Sequence, residues 1–342
     1  MAKLPHWHIM TDIKILGIET SCDETSAAVV ADGRRVLSNV IASSAQYQAQ
    51  FGGVVPEVAA RKHIENISQV VDCALEQAGI TIRELSAIAA TNGPGLIGAL
   101  LVGLNYGKAL AYGADLPFVA VHHIQGHIAS NFLESHVAPP FLCLVVSGGH
   151  TMLINVVDYH TYNILGSTQD DAVGEAYDKV ARLLKLPYPG GPALDALAKE
   201  GVPNIPFPMA FANQGLDFSY SGLKSAVINY INTKTMKNEE IVNKDIAASF
   251  QKAAIDVLIK KTAVAIKQTK ATTLTVCGGV ACNSLLRNKI QSLAEELGID
   301  YHIPKPVFCT DNGAMIAALG YYKFLQGELS PLNTNAHAVI SL

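Results

Sequence analysis

Two histidines four residues apart, His123 and His127, lie in the stretch His122-His123-Ile124-Gln125-Gly126-His127. An apolar run over 118–121 reads as a strand, and the stretch after it opens a helix. Residues i and i+4 on a helix share a face, with Cβ atoms about 5–6 Å apart. At that separation each ring can bring a nitrogen to about 2.0–2.1 Å from one divalent ion. Two nitrogens leave the coordination shell incomplete, so a third ligand and an exchangeable position must come from elsewhere. The pair equally suits two satisfied core or surface histidines. A zinc protease carries His-Glu-x-x-His on its helix. Here Ile124 follows His123, the glutamate that would activate water is missing, and peptide hydrolysis by that mechanism does not fit.

The elements that must position this pair alternate between strand and helix. Strand patterns over 13–18, 26–31 and 36–42 come close together, with turn chemistry at Asp32-Gly33. A helix over 57–78 is started by Pro56 and stopped by Gly79. A strand over 87–91, the Gly93-Pro94-Gly95 turn and a helix to about 113 lead to the histidine segment. Beyond Pro139-Pro140 the pattern resumes with strands over 141–146, 152–157 and 163–166. Helices near 172–185, 191–200, 221–232 and 245–269 follow. A strand over 274–276, a helix near 283–297, a strand around 301 and a helix over 312–325 complete the chain. In the helix over 245–269, Ile246, Phe250, Ala253, Val257 and Val264 form an apolar stripe, with Lys252, Lys260 and Lys267 on a solvated face. Both halves read as three strands followed by alternating helices and strands, a repeat of architecture without a repeat of sequence. Ligands favour the cleft between two such lobes.

The 342 residues suit two domains of moderate size. Apolar residues make up 49% and charged residues 16%, as expected for sheets covered by helices. The net charge of −4 lacks the basic excess of a protein that grips nucleic acid alone, so such a role needs a local patch or partner proteins. Six scattered cysteines fit a reducing cytosol and form no paired zinc knuckle. No apolar run reaches the about 20 residues of a membrane span. The first residues match neither a signal nor a transit peptide, and His6, Trp7 and His8 read as a loosely ordered extension.

Four turns concentrate polar or glycine residues. Residues 19–25 (Glu-Thr-Ser-Cys-Asp-Glu-Thr) pack carboxylates and hydroxyls into one hairpin turn, a density that costs stability unless it binds something. Ser147-Gly148-Gly149-His150-Thr151 stands in the equivalent place in the second half, where two glycines let the backbone approach an anion. Cys277-Gly278-Gly279-Val280-Ala281-Cys282-Asn283 joins a strand to a helix. Thr310-Asp311-Asn312-Gly313 opens the last helix. Each has a plainer reading: Asp311 as a helix cap, the glycine pairs as tight corners.

Together these turns resemble the actin-like ATPase superfamily. From about residue 13 to the C-terminus the chain is similar, more narrowly, to the TsaD family (Gcp, YgjD, Kae-type), tRNA adenosine threonylcarbamoyltransferases. The matching residues include Gly17 to Thr25, Gly52 to Glu57, Asn92 to Leu96, His122 to His127, and Val146 to Thr151. They continue with Asp170 to Lys179, Tyr188 to Pro192, Ser219 to Lys224, Gly278 to Asn283, and Thr310 to Asn312. The departures are the N-terminal extension and Tyr220, where a Phe is frequent.

The resemblance implies an α/β fold of two similar lobes, actin-like (ASKHA, ribonuclease H-like), with an interlobe cleft. It divides the chain into an extension (1–12), a first lobe (13–138, to which the helix at about 312–342 returns) and a second lobe (139–311). It implies transfer of threonylcarbamoyl from threonylcarbamoyl-AMP to the exocyclic amine of adenosine 37, 3′ of the anticodon in tRNAs reading ANN codons, releasing AMP. The metal ligands it implies are His123, His127 and Asp311, holding Fe(II) or Zn(II). Its substrate contacts are Val146, Ser147, Gly148, Gly149, His150, Asp178, Gly191, Asp195 and Asn283, a pocket that ATP, ADP or AMP would also fill. Asp23 or Glu24 would receive the amine proton. Expected partners are tRNA, a TsaB-like paralogue and a TsaE-like ATPase, with a homodimer for the isolated chain, in the cytoplasm and away from membranes. Two other classes compete: an ATPase or kinase, which would use magnesium carried with ATP and no histidine pair, and a regulatory scaffold, indifferent to substitution of Asp178 or Asn283.

Overall fold

A computed structural model of the chain describes residues 12–211 and 215–342. Of the extension expected over 1–12, all but Asp12 lies outside the described residues. In chain order come β1 (Lys14–Glu19), β2 (Glu24–Ala31), β3 (Arg35–Ser43), α1 (Ala45–Ala49), α2 (Pro56–Ala78), β4 (Ala87–Gly93), α3 (Ile97–Ala114), β5 (Phe118–His122) and α4 (His123–Ala129). Next are β6 (Phe141–Val146), β7 (Thr151–Val156), β8 (Tyr162–Ser167), α5 (Val173–Leu183), α6 (Gly190–Ala198), α7 (Ser221–Met236) and α8 (Asn243–Thr269). Last are β9 (Thr273–Cys277), α9 (Ser284–Leu297), β10 (Asp300–His302), α10 (Pro306–Cys309) and α11 (Gly313–Leu325). The chain divides into two compact units.

Unit 1 holds residues 12–42, 60–135 and 312–341. Its sheet runs β3-β2-β1-β4-β5, with β1 antiparallel to β2 and parallel to β4, and β4 parallel to β5. All of β1 after Lys14 is buried, as expected of a strand covered on both faces. The two faces are told apart by neighbouring residues of β4. A Cβ on Gly107 of α3 would lie 3.1 Å from Ala90 Cβ, and one on Gly320 of α11 would lie 2.6 Å from Ala89 Cβ. Successive strand residues point to opposite faces, so α3 covers one face and α11 the other. The α11 face is packed to backbone contact: a Cβ on Gly17 would fall 2.2 Å from the Gly313 carbonyl oxygen and 2.4 Å from Ala317 N. Only glycine fits that approach.

Unit 2 holds residues 43–59 and 136–311, with Leu342. Its sheet runs β10-β9-β6-β7-β8, parallel on the β9 side of β6 and antiparallel on the β7 side. This is the strand order and direction pattern of unit 1, the architectural repeat expected from the sequence. Leu144, Val146, Val173, Phe218, Phe250, Leu274, Val276 and Leu286 lie in its core. Residues 43–59, grouped with the first lobe on sequence, cluster with unit 2; there Arg182 donates to the Gly52 carbonyl and Gln48 Oε1 accepts from Val55 N at 2.9 Å.

Two features of α8 differ from its apolar stripe. Val264 is 40% exposed, while Lys261, a charged residue four positions after Val257 on the same face, is buried. Lys261 Nζ donates to the carbonyls of Phe211 (2.7 Å) and Gly215 (3.0 Å), so its amine is satisfied inside the unit.

Candidate metal centre and ligand-facing turns

The helix α4 starts because His122 caps it. His122 Nδ1 accepts from Ile124 N–H at 3.1 Å, and Nε2 faces the Ile340 carbonyl at 3.4 Å. One nitrogen must accept and the other donate, which needs the neutral ring; burial lowers its pKa to about 4. His122, unassigned on sequence, is thus the cap of the helix that carries the pair. Gly126 lets that helix sit on α11, where a Cβ would lie 2.8 Å from Ile316 Cδ1.

His123 and His127 come together one turn apart, their ring centroids 4.7 Å from each other at 78°. Asp311 is the residue before Asn312, with which the chain re-enters unit 1 to form α11. One ligand atom from each of the three lies within 4.8 Å of the other two. Both histidines are buried and Asp311 is half-buried. The plainer reading of Asp311 as the helix cap is corrected: Asn312 Oδ1 accepts from Met315 N at 3.0 Å and caps α11.

The residues fit a divalent ion of borderline softness. Two imidazoles and one carboxylate are a donor set used by zinc and by non-haem iron(II). His123 also has the outer partner that metal-bound histidines need. Its Nδ1 lies 3.2 Å from Glu19 Oε2 and 3.1 Å from Ser21 Oγ. Sequence reasoning counted Glu19 among the carboxylates of the first polar turn and gave it no role of its own. The available signal was a carboxylate ending an apolar strand, a position that buries charge and therefore demands partners.

Asp23 lies in the turn from β1 to β2, and Glu24, expected in the same turn, is the first residue of β2. Ser21 of the same turn touches His123, so acid and metal-binding groups share one end of unit 1. The turn is held by His63 of α2, buried beneath it, which contacts Thr25 Oγ1 and the Cys22 carbonyl.

Within unit 2, Val146 to His150 end β6 and turn toward β7. Ser147 N donates to the His150 carbonyl at 2.8 Å, and His150 N to Ser147 Oγ at 3.1 Å. A Cβ on Gly148 or Gly149 would meet nothing within 4 Å, so both glycines border open space rather than a packed corner. The Cys277–Asn283 turn packs on the same strand end: Gly278 has φ +93, and a Cβ there would fall 2.3 Å from the Val146 carbonyl oxygen. Asn283 Oδ1 caps α9 through Leu286 N at 3.0 Å. Its amide donates to Gln251 Oε1 at 2.9 Å and Asp195 Oδ1 at 3.2 Å. Tyr177 OH stands 3.5 Å away, its phenol pushed well up by burial. Asp178 accepts from Gly190 N at 3.0 Å, beside Gly191. A cavity of about 340 Å³ is lined by Asp178, Arg182, Tyr188 and Gly190. Another, of about 380 Å³ beside Tyr230 and Lys234, contains none of the expected site residues.

Comparison with known proteins identifies the family. The family model described as TsaD, tRNA N6-adenosine threonylcarbamoyltransferase, matches residues 35–318. A protein of that name from Clostridium perfringens is 54% identical over 325 residues, covering 94% of this chain and 96% of the relative. Another from Clostridioides difficile is 53% identical over 330 residues, covering 96% and 98%. Among solved structures, HypF of T. kodakarensis is similar over 93% of this chain and 49% of its own, with TM-score 0.61 and 15% identity. Component A of the Acidaminococcus fermentans (R)-2-hydroxyglutaryl-CoA dehydratase is similar over 91% and 98%, with TM-score 0.54 and 16% identity. Those two likenesses bear on the fold alone, which is the actin-like α/β fold. On the match of its sequence over nearly its whole length, the chain belongs to the TsaD family of tRNA N6-adenosine threonylcarbamoyltransferases.

Proposed function

We propose that this chain transfers the threonylcarbamoyl group of threonylcarbamoyl-AMP to the N6 amine of adenosine 37 in tRNAs reading ANN codons, with a divalent metal held by His123, His127 and Asp311. The observation that carries the reading is that donor cluster, with Glu19 and Ser21 behind it, in a chain of this family. The amine forms a bond to the carbamoyl carbon, the bond from that carbon to the AMP phosphate oxygen breaks, and the amine proton is lost. Adenosine N6 is a poor nucleophile, because its lone pair is delocalised into the purine. Positioning and charge stabilisation therefore carry the rate. A bound Fe(II) or Zn(II) would supply Lewis acidity toward a substrate oxygen.

The chain's own groups divide the remaining work. The open backbone at Gly148 and Gly149, with Val146, Ser147 and His150, would receive the anionic part of the substrate. Asn283, Asp195, Asp178 and Gly191 would bind and orient the adenylate, and the same pocket would take ATP, ADP or AMP. Asp23 or Glu24 would take the amine proton.

No helix among the described residues is long and apolar enough to cross a membrane. A cytoplasmic site of action is part of the proposal. So are a TsaB-like paralogue and a TsaE-like ATPase as partners, and a homodimer when they are absent. The test is to incubate purified chain with threonylcarbamoyl-AMP and unmodified tRNA, with and without such partners, and to digest the tRNA to nucleosides. Threonylcarbamoyladenosine is the expected product; its absence under every condition overturns the proposal. Phosphate released from ATP without that nucleoside would favour the ATPase reading instead.

A further inference from the structure

Glu19 ends β1 with its side chain fully buried. A carboxylate at that depth is costly unless donors surround it. Ser21 N–H donates to Oε1 at 2.5 Å, and Thr91 Oγ1 donates to Oε2 at 2.6 Å. The same Oε2 stands 3.2 Å from His123 Nδ1. An ionised carboxylate only accepts, so in this contact His123 Nδ1 carries the proton. Ser21 Oγ, at 3.1 Å, is a second acceptor for that N–H. A neutral imidazole has one N–H, and Nε2 keeps its lone pair.

We propose that Glu19 is the positioning residue of the metal centre: its carboxylate holds His123 as the Nδ1–H tautomer, so that Nε2 is the nitrogen offered to the ion. Thr91 of β4 and the Ser21 backbone fix the carboxylate in turn. This rests on the metal reading above and adds to it a residue that acts through His123. Outer partners of metal-bound histidines typically contribute 10–100-fold to affinity.

Two measurements on the full chain test it. Zinc affinity, by competition with a chelator, is compared for wild type, Glu19→Gln and Glu19→Ala. The tautomer of His123 is read at neutral pH in the metal-free protein from ¹⁵N shifts of labelled histidine, assigned by its loss in His123→Ala. The expected result is an Nδ1-protonated His123 in wild type, loss of that state in Glu19→Ala, and zinc binding about 10–100-fold weaker. Glu19→Gln, nearly isosteric and expected to fold should the alanine variant not, should fall between. A purely structural Glu19 would change the melting temperature and leave the tautomer alone. Unchanged zinc affinity in a folded variant, or an Nε2-protonated His123 in wild type, overturns the proposal. A wild-type chain that takes up no zinc or iron overturns the metal reading itself. That failure is distinct, because failure at Glu19 leaves wild type and variants binding equally.

Discussion

Thr25 Oγ1 lies 2.8 Å from His63 Nδ1, and the other nitrogen of that ring lies 3.0 Å from the Cys22 carbonyl oxygen. A carbonyl only accepts, so His63 Nε2 donates to it and Nδ1 accepts from the threonine. One neutral side chain therefore pins the backbone on either side of Asp23 and Glu24.

That arrangement makes the fold sensitive to acid. Burial holds the His63 pKa below its usual 6.5, opposed by the Cys22 carbonyl and by the nearby Glu19 and Asp23 carboxylates. The unfolded chain takes up a proton near pH 6.5, and the folded chain resists until lower pH. The contribution is thus complete above about pH 6.5 and is lost as pH falls from there through the folded-state value. Thermal unfolding followed against pH should show the advantage of wild type over His63→Gln shrinking on acidification. An advantage that grows toward acid contradicts this account.

The double substitution His123→Ala with His127→Ala should abolish metal content and threonylcarbamoyl transfer together. Chelation of wild type should also lower its melting temperature. Metal at 100 times its Kd contributes about 2.7 kcal/mol to stability. Full transfer by a metal-free double variant would sink the proposed role of the ion.

Asn283 serves its own helix as well as any ligand. Replacing it with alanine removes an N-cap, about 1 kcal/mol, and leaves Gln251 and Asp195 short of a donor in a buried network, about 1–3 kcal/mol more. Asn283→Ser keeps a capping oxygen and loses the amide. Urea midpoints should fall in the order wild type, serine, alanine; equal midpoints for the two variants would remove the cap from the account.

Cys282 should be unusually reactive for a half-buried thiol. The Cys309 thiol and Arg287 stand near it, and against burial they lower its pKa below that of a free thiol. Iodoacetamide labelling of its peptide should rise with a midpoint below that of a free thiol, and Cys309→Ala should move that midpoint upward. An unchanged midpoint in Cys309→Ala would show that the Cys309 thiol is not responsible.

Gly17→Ala would drive a methyl into the Gly313 carbonyl and the Ala317 nitrogen, backbone atoms that no rotamer can clear. Destabilisation should reach or exceed the upper end of the about 1–3 kcal/mol usual for overpacking. Wild-type stability in this variant would mean that α11 does not approach β1 so closely.

Much of the fold was legible because its signals are local. Pro56 and Gly79 bound α2, and apolar runs of four to eight residues mark the strands. The short helices α1 and α10 escaped notice because a single turn has no periodic stripe to read. Val264 fits the stripe of α8 by spacing yet sits past the reach of the core, while Lys261 is inside for the sake of two carbonyls far along the chain. The histidine pair was legible from spacing alone, but its third donor came only through family resemblance. Spacing could not say whether Asp311 or Asn312 caps the last helix, since both residue types cap well. Glu19 was hidden for a similar reason: its partners Thr91 and His123 are contributed by other strands and helices.

The face of the first sheet that α11 covers has a consequence for how the protein is made. β1 leaves the ribosome long before the helix that packs on Gly17, which spans Gly313–Leu325, has been made. Unit 2 has essentially all of its residues once Asp311 has been added, so it can reach its fold while unit 1 still lacks a layer. At about 5–20 residues per second, β1 waits some tens of seconds for its cover. The sheet of unit 1 is therefore begun before unit 2 and completed after it, and a chain stalled shortly before Gly313 would present bare apolar strand to the chaperones around it.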